Sequence, residues 1–385
     1  MWVVEMNVIV GIPSYNNADT IGYVVKQAAE GLKKYFNGGV IVNADGGSKD
    51  GTRNVVLNTK VPESVEVQSF VYKWPIPGKG SAMKELMEFA REKGADALVF
   101  VDSDLRSITP EWIYKLAKPI EEGYDFVAPH YIRYKYDGTI TNNIAYPMTA
   151  SLYGKNIRQP IGGDFGVSAK LFDVYLDNEE VWKTNVARFG VDIFLTTTAL
   201  AEGFKVTQTA LGLKIHDPKD PAASLGPMFN QVVGTLFMLM KKYEEKWRSV
   251  RKIDEVPLWG NAVGGEPEPV KVTLELLKIR AKELFVQNEM VLKRALSEET
   301  FEGVKKALKT FDFDDVLWSH VLFDGAVAYR EGVLSEAEPL VSLYFAKTAD
   351  FVEKTGGMST LEAEELIRER AKVFLEEKDY LLERW

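Results

Sequence analysis

The first hundred residues alternate between two hydrophobic periods, and this alternation restricts the fold more than any other feature of the chain. β-rich runs occur at "MNVIVGIPSYN" (Met6–Asn16), "GGVIVNADGG" (from Gly38), "SVEVQSFVYK" (from Ser64) and "ADALVFVDSD" (from Ala95). Between them, "ADTIGYVVKQAAEGLKKYF" places Ile21, Val24, Val25, Ala28 and Leu32 on one helical face. A second helical pattern, "GSAMKELMEFAREKG", runs to Gly94, a suitable C-terminal cap. Strand–helix–strand alternation at this spacing predicts an α/β fold, a mainly parallel sheet with helices on both faces. Ligands of such sheets bind at the carboxyl ends of the strands.

Two carboxylates sit at one such end. "VFVDSDLR" runs from a buried strand into Asp102 and Asp104, which repel unless a positive group lies between them or one is protonated. A divalent cation removes the repulsion and suits hard oxygen ligands, and Mg²⁺ or Mn²⁺ there would naturally carry a diphosphate on its remaining positions. A solvated turn and a proton-sharing acid pair are the alternatives. The chain has no cysteine, which excludes thiolate metal sites, disulfides and cysteine nucleophiles. Its three histidines are His130, His216 and His320, so a metal site must be mainly oxygen. A net charge of −9 argues against nucleic acid as a partner.

Four segments, "GIPSYNNADTI", "NADGGSKDGT", "GKGSAM" and "VFVDSDLRSITPEWI", resemble in their order the motifs of GT-A nucleotide-sugar glycosyltransferases. Three more, "RQPIGGDFGVSAKL", "RFGVDIFL" and "LGLKIHDP", look like the retaining branch that makes mannosylglycerate or glucosyl-3-phosphoglycerate. The resemblance reaches about Pro227 and weakens beyond it. It implies a GT-A fold, a nucleoside-diphosphate-sugar donor, a small hydroxy-acid acceptor and a divalent metal. It also implies retention by front-face attack, since no side-chain nucleophile stands out.

Residue by residue, Pro13, Tyr15 and Asn16 end the first strand, where a base or ribose can lie; an ordinary turn is the alternative. Asp45 ends the second strand, as a base or ribose acceptor or as a turn acid. In "PGKGSAM", small Gly78 and Gly80 suit backbone approach to phosphate, and the resemblance assigns Lys79 to the donor. Gly162, Gly163 and Asp164 of "PIGGDFG" suit a closely approaching sugar. Asp192 begins a helix and either caps it or contacts sugar or acceptor; the resemblance favours contact. Arg133 and Thr141 are acceptor candidates. His216 follows a strand-like run, and the resemblance makes it a metal ligand with Asp104. Asp102 stands beside them, on the ribose or one step back from the ion. Asp102, Asp104 and Asp192 are thus the expected catalytic acids.

From about Pro227 helical patterns take over, interrupted by the Gly/Pro-rich "VPLWGNAVGGEPEPV". The expected division is a catalytic domain over 1–226 and a helical extension over 227–385, whose apolar helices suit a homodimer. The N-terminus lacks a basic signal region and no run is long enough to span a bilayer, so a cytoplasmic location is expected. The reading is a metal-dependent retaining transferase acting on glycerate or 3-phosphoglycerate, with polar "TITNN" (Thr139–Asn143) favouring glycerate. The rivals are an inverting enzyme using Asp164 or Asp192 as base on a lipid or polysaccharide, a nucleotidyltransferase, and a non-catalytic nucleotide-sugar sensor.

Overall fold

A computed structural model describes residues 5–216, 225–261 and 264–385. The first four residues, the Asp-Pro stretch after His216 and two residues of the Gly/Pro-rich segment lie outside this range. In chain order the principal elements are β1 (Val8–Ser14), α1 (Ala18–Phe36), β2 (Gly39–Asp45), α2 (Thr52–Asn58), β3 (Val65–Val71), α3 (Lys79–Glu92), β4 (Ala97–Phe100) and α4 (Pro110–Glu121). Then come β5 (Phe126–Ile132), α5 (Tyr146–Tyr153), β6 (Lys155–Asn156), β7 (Phe165–Ser168), α6 (Ala169–Leu176), α7 (Val191–Ala201), β8 (Val206–Leu213), β9 (Asp254–Glu255) and β10 (Leu258–Trp259). The remaining helices are named by their residues.

The described residues divide into two compact units. The first holds the chain through Arg133, Arg158 through His216, and Val256–Glu268. The second holds Tyr134–Ile157, the stretch from Leu225 through Glu255, and Pro269–Trp385. This partition differs from a single boundary at residue 226: the chain crosses between units several times.

The first unit is built on an eight-stranded sheet of order β10-β8-β5-β7-β4-β1-β2-β3. Among the described residues the strands pair in parallel except for β7, which runs antiparallel to β4 and β5. β1 is buried along its whole length, as a central parallel strand must be. Val8, Val10 and Ile12 pack on Val25 and Leu32 of α1 and on Ile113 and Leu116 of α4. Gly11, on the opposite face, meets Leu86 of α3. The sheet therefore carries helices on both faces, as the alternation requires. α1 is capped from outside: the Asp50 carboxylate accepts the Ala18 N–H and also the Thr52 N–H at the start of α2. β10 lies within the segment expected to be loop, paired with β8.

The second unit is helical apart from the short β6–β9 pair. Tyr136, Tyr146 and Ala150 share an apolar cluster with Phe351, Ala363, Ile367 and Ala371. Every residue of α5 is buried, the signature of a helix enclosed on all sides. Arg370 donates to the Asn142 carbonyl and the Asn143 side chain, and Thr139 pairs with the Tyr344 hydroxyl. The polar Thr139–Asn143 stretch is thus consumed by internal bonds, which removes the reason for preferring glycerate. Helices Glu298–Thr310 and Asp315–Arg330 begin at side-chain caps, Ser297 and Asp314. Among the described residues no helix is long and apolar enough to cross a membrane.

Candidate active site

The positive charge that Asp102 needs comes from two lysines distant in sequence. Lys79 Nζ donates to Asp102 Oδ1 at 2.8 Å, and Lys214 Nζ to Asp102 Oδ2 at 2.9 Å. Lys214 also donates to Asp164 Oδ2 at 2.9 Å and to the Gly162 carbonyl at 2.8 Å. Asp164 accepts the Asp102 N–H through Oδ1 at 2.7 Å, and the Tyr131 hydroxyl through Oδ2. Lys79 reaches on to Asp192 Oδ2 at 3.3 Å. The other oxygen, Asp192 Oδ1, is buried with no hydrogen-bond partner among the described residues.

Local structure explains how these groups meet. Asp102 leaves the end of β4, Tyr131 sits near the end of β5, and Lys214 directly follows β8. β5 and β8 are parallel neighbours with an irregularity at His130/Tyr131, where Leu211 is an extra residue in β8. Such a bulge shifts the alternation of side chains beyond it. Asp192 lies in the first turn of α7, and Lys79 opens α3.

The glycines allow this convergence by their close packing. A Cβ on Gly80 would lie 1.8 Å from the Val186 carbonyl oxygen, and the Gly80 N–H already donates to the Arg188 carbonyl. The Gly-Lys-Gly segment is therefore small because it packs on the chain leading to α7, which sets Lys79 between Asp102 and Asp192. The Gly80 and Gly78 N–H groups expected to face phosphate are bonded to the Arg188 carbonyl and the Tyr72 hydroxyl in this structure. Gly163 has φ +91°, and a Cβ there would lie 2.4 Å from Asp102 Oδ2. The Gly163 end of the Gly162–Gly163 turn packs on Asp102, and its Gly162 end on Pro129. Asp164 is fully buried and holds Asp102, Lys214 and Tyr131, a role distinct from the expected donor contact.

Opposed effects set the charge states. Burial disfavours the charged Asp102, but Lys214 and Lys79 outweigh it and hold the carboxyl far below its ordinary range. Burial likewise opposes the charges of Lys79 and Lys214, and the carboxylates around them carry both above the ordinary lysine value. Asp192 goes the other way: burial raises it, and Lys79 offsets this only partly. Burial and the Asp164 charge push the Tyr131 hydroxyl well above 10.

The metal candidates separate into two groups. Arg106 N–H donates to the Ile215 carbonyl at 2.8 Å, Arg106 Nη2 to the His216 carbonyl at 3.1 Å, and Ile215 N–H to Ser107 Oγ at 2.9 Å. These bonds tie the segment after β8 to the loop carrying Asp104. Asp104 and His216 are both half-buried. Among the described residues no three His, Asp or Glu side chains gather as a metal cluster. Asp102, in the expected ligand set, has each oxygen engaged by one ammonium group, which leaves each a further lone pair. A carboxylate and an imidazole still fit a divalent cation whose other positions belong to water and phosphate.

The donor candidates at the β1 and β2 ends divide similarly. Asp45 is fully buried and takes four bonds, from the Gly47 and Ser48 N–H groups and the Ser14 and Ser48 hydroxyls. Four bonds saturate a carboxylate, so Asp45 shapes the loop and leaves no lone pair for a base or ribose. Pro13 is buried in β1. Asn16, at φ +55°, ties the loop after β1 to Ser48 and Lys49. Tyr15 is 63% exposed, an open aromatic face at the end of the strand. Of the acceptor candidates, Arg133 closes a stretch of the first unit, whereas Thr141 is buried in a π-helical turn of the second.

The profile of glycosyl transferase family 2 matches residues 9–179. The glucosyl-3-phosphoglycerate synthase of Mycolicibacterium smegmatis is 30% identical over 251 residues, covering 60% of this chain and 76% of that enzyme. The chain belongs to glycosyl transferase family 2. It is also 27% identical over 135 residues to the mannosylglycerate synthase of Rhodothermus marinus, and spans 34% of that enzyme's length. A solved glucosyl-3-phosphoglycerate synthase from Mycobacterium tuberculosis, in complex with Mn²⁺, UDP and phosphoglyceric acid, is 24% identical, with 61% of this chain and 78% of that one covered and a TM-score of 0.48.

Two residues of this family 2 site escaped the pattern reading, Lys214 and Tyr131. The only local sign of Lys214 was a cation at the end of the apolar "LGLKI" run, two residues before His216. Tyr131 read as one more aromatic of a strand.

Proposed function

We propose that the chain is a metal-dependent retaining glycosyltransferase that moves a hexose from a nucleoside-diphosphate sugar to 3-phosphoglycerate or glycerate. The observation that carries this reading is the convergence of Lys79, Asp102, Lys214, Asp164 and Asp192 beyond the strand ends, with the Asp104 loop tied to His216. The larger match to the phosphoglycerate enzyme supports taking 3-phosphoglycerate and a glucose nucleotide as the first pair.

Asp104 and His216 would hold the cation, which when bound neutralises the donor diphosphate. Lys79 uses two of its three N–H donors on Asp102 and Asp192, so one remains to meet an oxygen of the ligand. Asp192 Oδ1 accepts a hydroxyl of the sugar or acceptor. Tyr15 offers its ring to the base. The sugar–phosphate bond breaks as the acceptor oxygen bonds to the anomeric carbon on the same face, and the acceptor proton passes to the leaving phosphate oxygen.

A screen of UDP- and GDP-sugars against glycerate and 3-phosphoglycerate, with Mn²⁺ or Mg²⁺, tests the reading. An α-linked product by NMR is expected from an α-linked donor. A β-linked product refutes retention, and no turnover with any pair refutes the substrate class.

A further inference from the structure

Lys214 is the most enclosed cation of the site. Its side chain is 4% exposed, against 14% for Lys79. An ammonium has three N–H donors, and all three are spent within the protein, on Asp102 Oδ2, Asp164 Oδ2 and the Gly162 carbonyl. The ammonium also lies 4.8 Å from the centre of the Tyr131 ring, which closes another side. Lys79 keeps a donor for a ligand; Lys214 keeps none.

The three acceptors belong to the two segments that shape the site. Asp102 belongs to the turn after β4; Gly162 and Asp164 belong to the turn before β7. A second link, from the Asp102 N–H to Asp164 Oδ1, joins the same segments. Without Lys214, the Asp102 and Asp164 carboxylates would face each other with Lys79 alone to balance them. Asp102 would swing toward Lys79 and disturb the Lys79–Asp192 contact that orders the open carboxylate oxygen.

The geometry points to Lys214 as a positioning residue for sugar transfer, one that holds Asp102 and the Gly162–Asp164 turn in register and so orients Lys79 and Asp192 without touching the substrate. This rests on the functional reading above. A residue that binds substrate equally in ground and transition states alters KM, whereas one that aligns the reacting groups alters kcat.

The test measures transfer kinetics of the unsubstituted chain first, then of Lys214→Met, Lys214→Arg and the Lys214→Met/Asp164→Asn double variant, with thermal melting of each. Lys214→Met is expected to lower kcat by about 10²-fold, the effect of a misplacement near 1 Å, with donor KM unchanged. Lys214→Arg, which keeps the charge and spans both carboxylates, is expected to fall between Met and Lys. The double variant is expected to be no worse than Lys214→Met alone, because only Asp102, which Lys79 still balances, is left facing the absent cation. A rise in donor KM with kcat unchanged would show direct donor binding and overturn the assignment, as would an unaltered kcat. If Lys214→Met does not fold, Lys214→Arg decides: kcat below that of the unsubstituted chain at constant donor KM supports the role, and any other result refutes it. Absence of transfer by the unsubstituted chain refutes the functional reading itself; transfer with an unaffected Lys214→Met kcat refutes only the role of Lys214.

Discussion

Replacing Gly163 by alanine separates a turn that packs on Asp102 from one that admits a sugar. The added Cβ would stand 2.4 Å from Asp102 Oδ2, where real Cβ contacts almost never fall below 3.0 Å. Asp102 or the turn must therefore move by at least 0.6 Å. Asp102 has little freedom, since Lys79 and Lys214 hold both its oxygens. Residue 163 is also at φ +91°, where a side chain costs about 1–3 kcal/mol of local strain. Crowding in a packed site adds about 1–3 kcal/mol. The expected outcome is a loss of roughly 2–6 kcal/mol in urea unfolding, together with a kcat reduced by about 10²-fold through displacement of Asp102. The assay is steady-state transfer kinetics of both proteins beside their urea transitions. If the variant unfolds like the unsubstituted chain and shows only a raised donor KM, the turn faces ligand and the packing argument fails.

Asp104→Ala and His216→Ala should each abolish the stimulation of transfer by Mn²⁺ while leaving the circular dichroism unchanged; metal stimulation that survives both removes them from the cation site. In the helical unit, burial opposes the charge of Asp315, but Arg370 and Lys347 outweigh it and its pKa is lowered. Stability from that carboxylate is therefore complete above the ordinary carboxyl value of 3.8 and is lost as pH falls through the lower folded value. Asp315→Asn should thus be less stable than the unsubstituted chain at pH 6, with the gap in urea midpoint narrowing toward pH 3; a gap independent of pH would rule out the ion pairs as its source.

Much of the sheet is legible because strand and helix periods are local properties. β1 to β4, α1 and α3 follow from which side chains alternate over a few residues, whereas the short α2 does not. The position of Asp102 and Asp104 at a strand end follows for the same reason. β7 and β10 are short, and their places in the sheet depend on partners far along the chain. The assignment of Tyr134–Ile157 to the helical unit is similarly non-local: the segment is buried by Phe351, Ile367 and Ala371, more than two hundred residues later.

The sequence by itself determined the class of sheet, the edge where its chemistry gathers, and the acids, cations and glycines available there. Only tertiary structure decided their pairing. Asp102 lies 23 residues from Lys79 and 112 from Lys214, and no local pattern announces either bond. The same holds for the glycines, whose smallness suits phosphate, sugar or neighbouring backbone equally well until the neighbour is known. The physical reason is that charge compensation and close packing act through space: a carboxylate responds to whichever cation the fold delivers within hydrogen-bond reach, and at this site the fold delivers two lysines to Asp102.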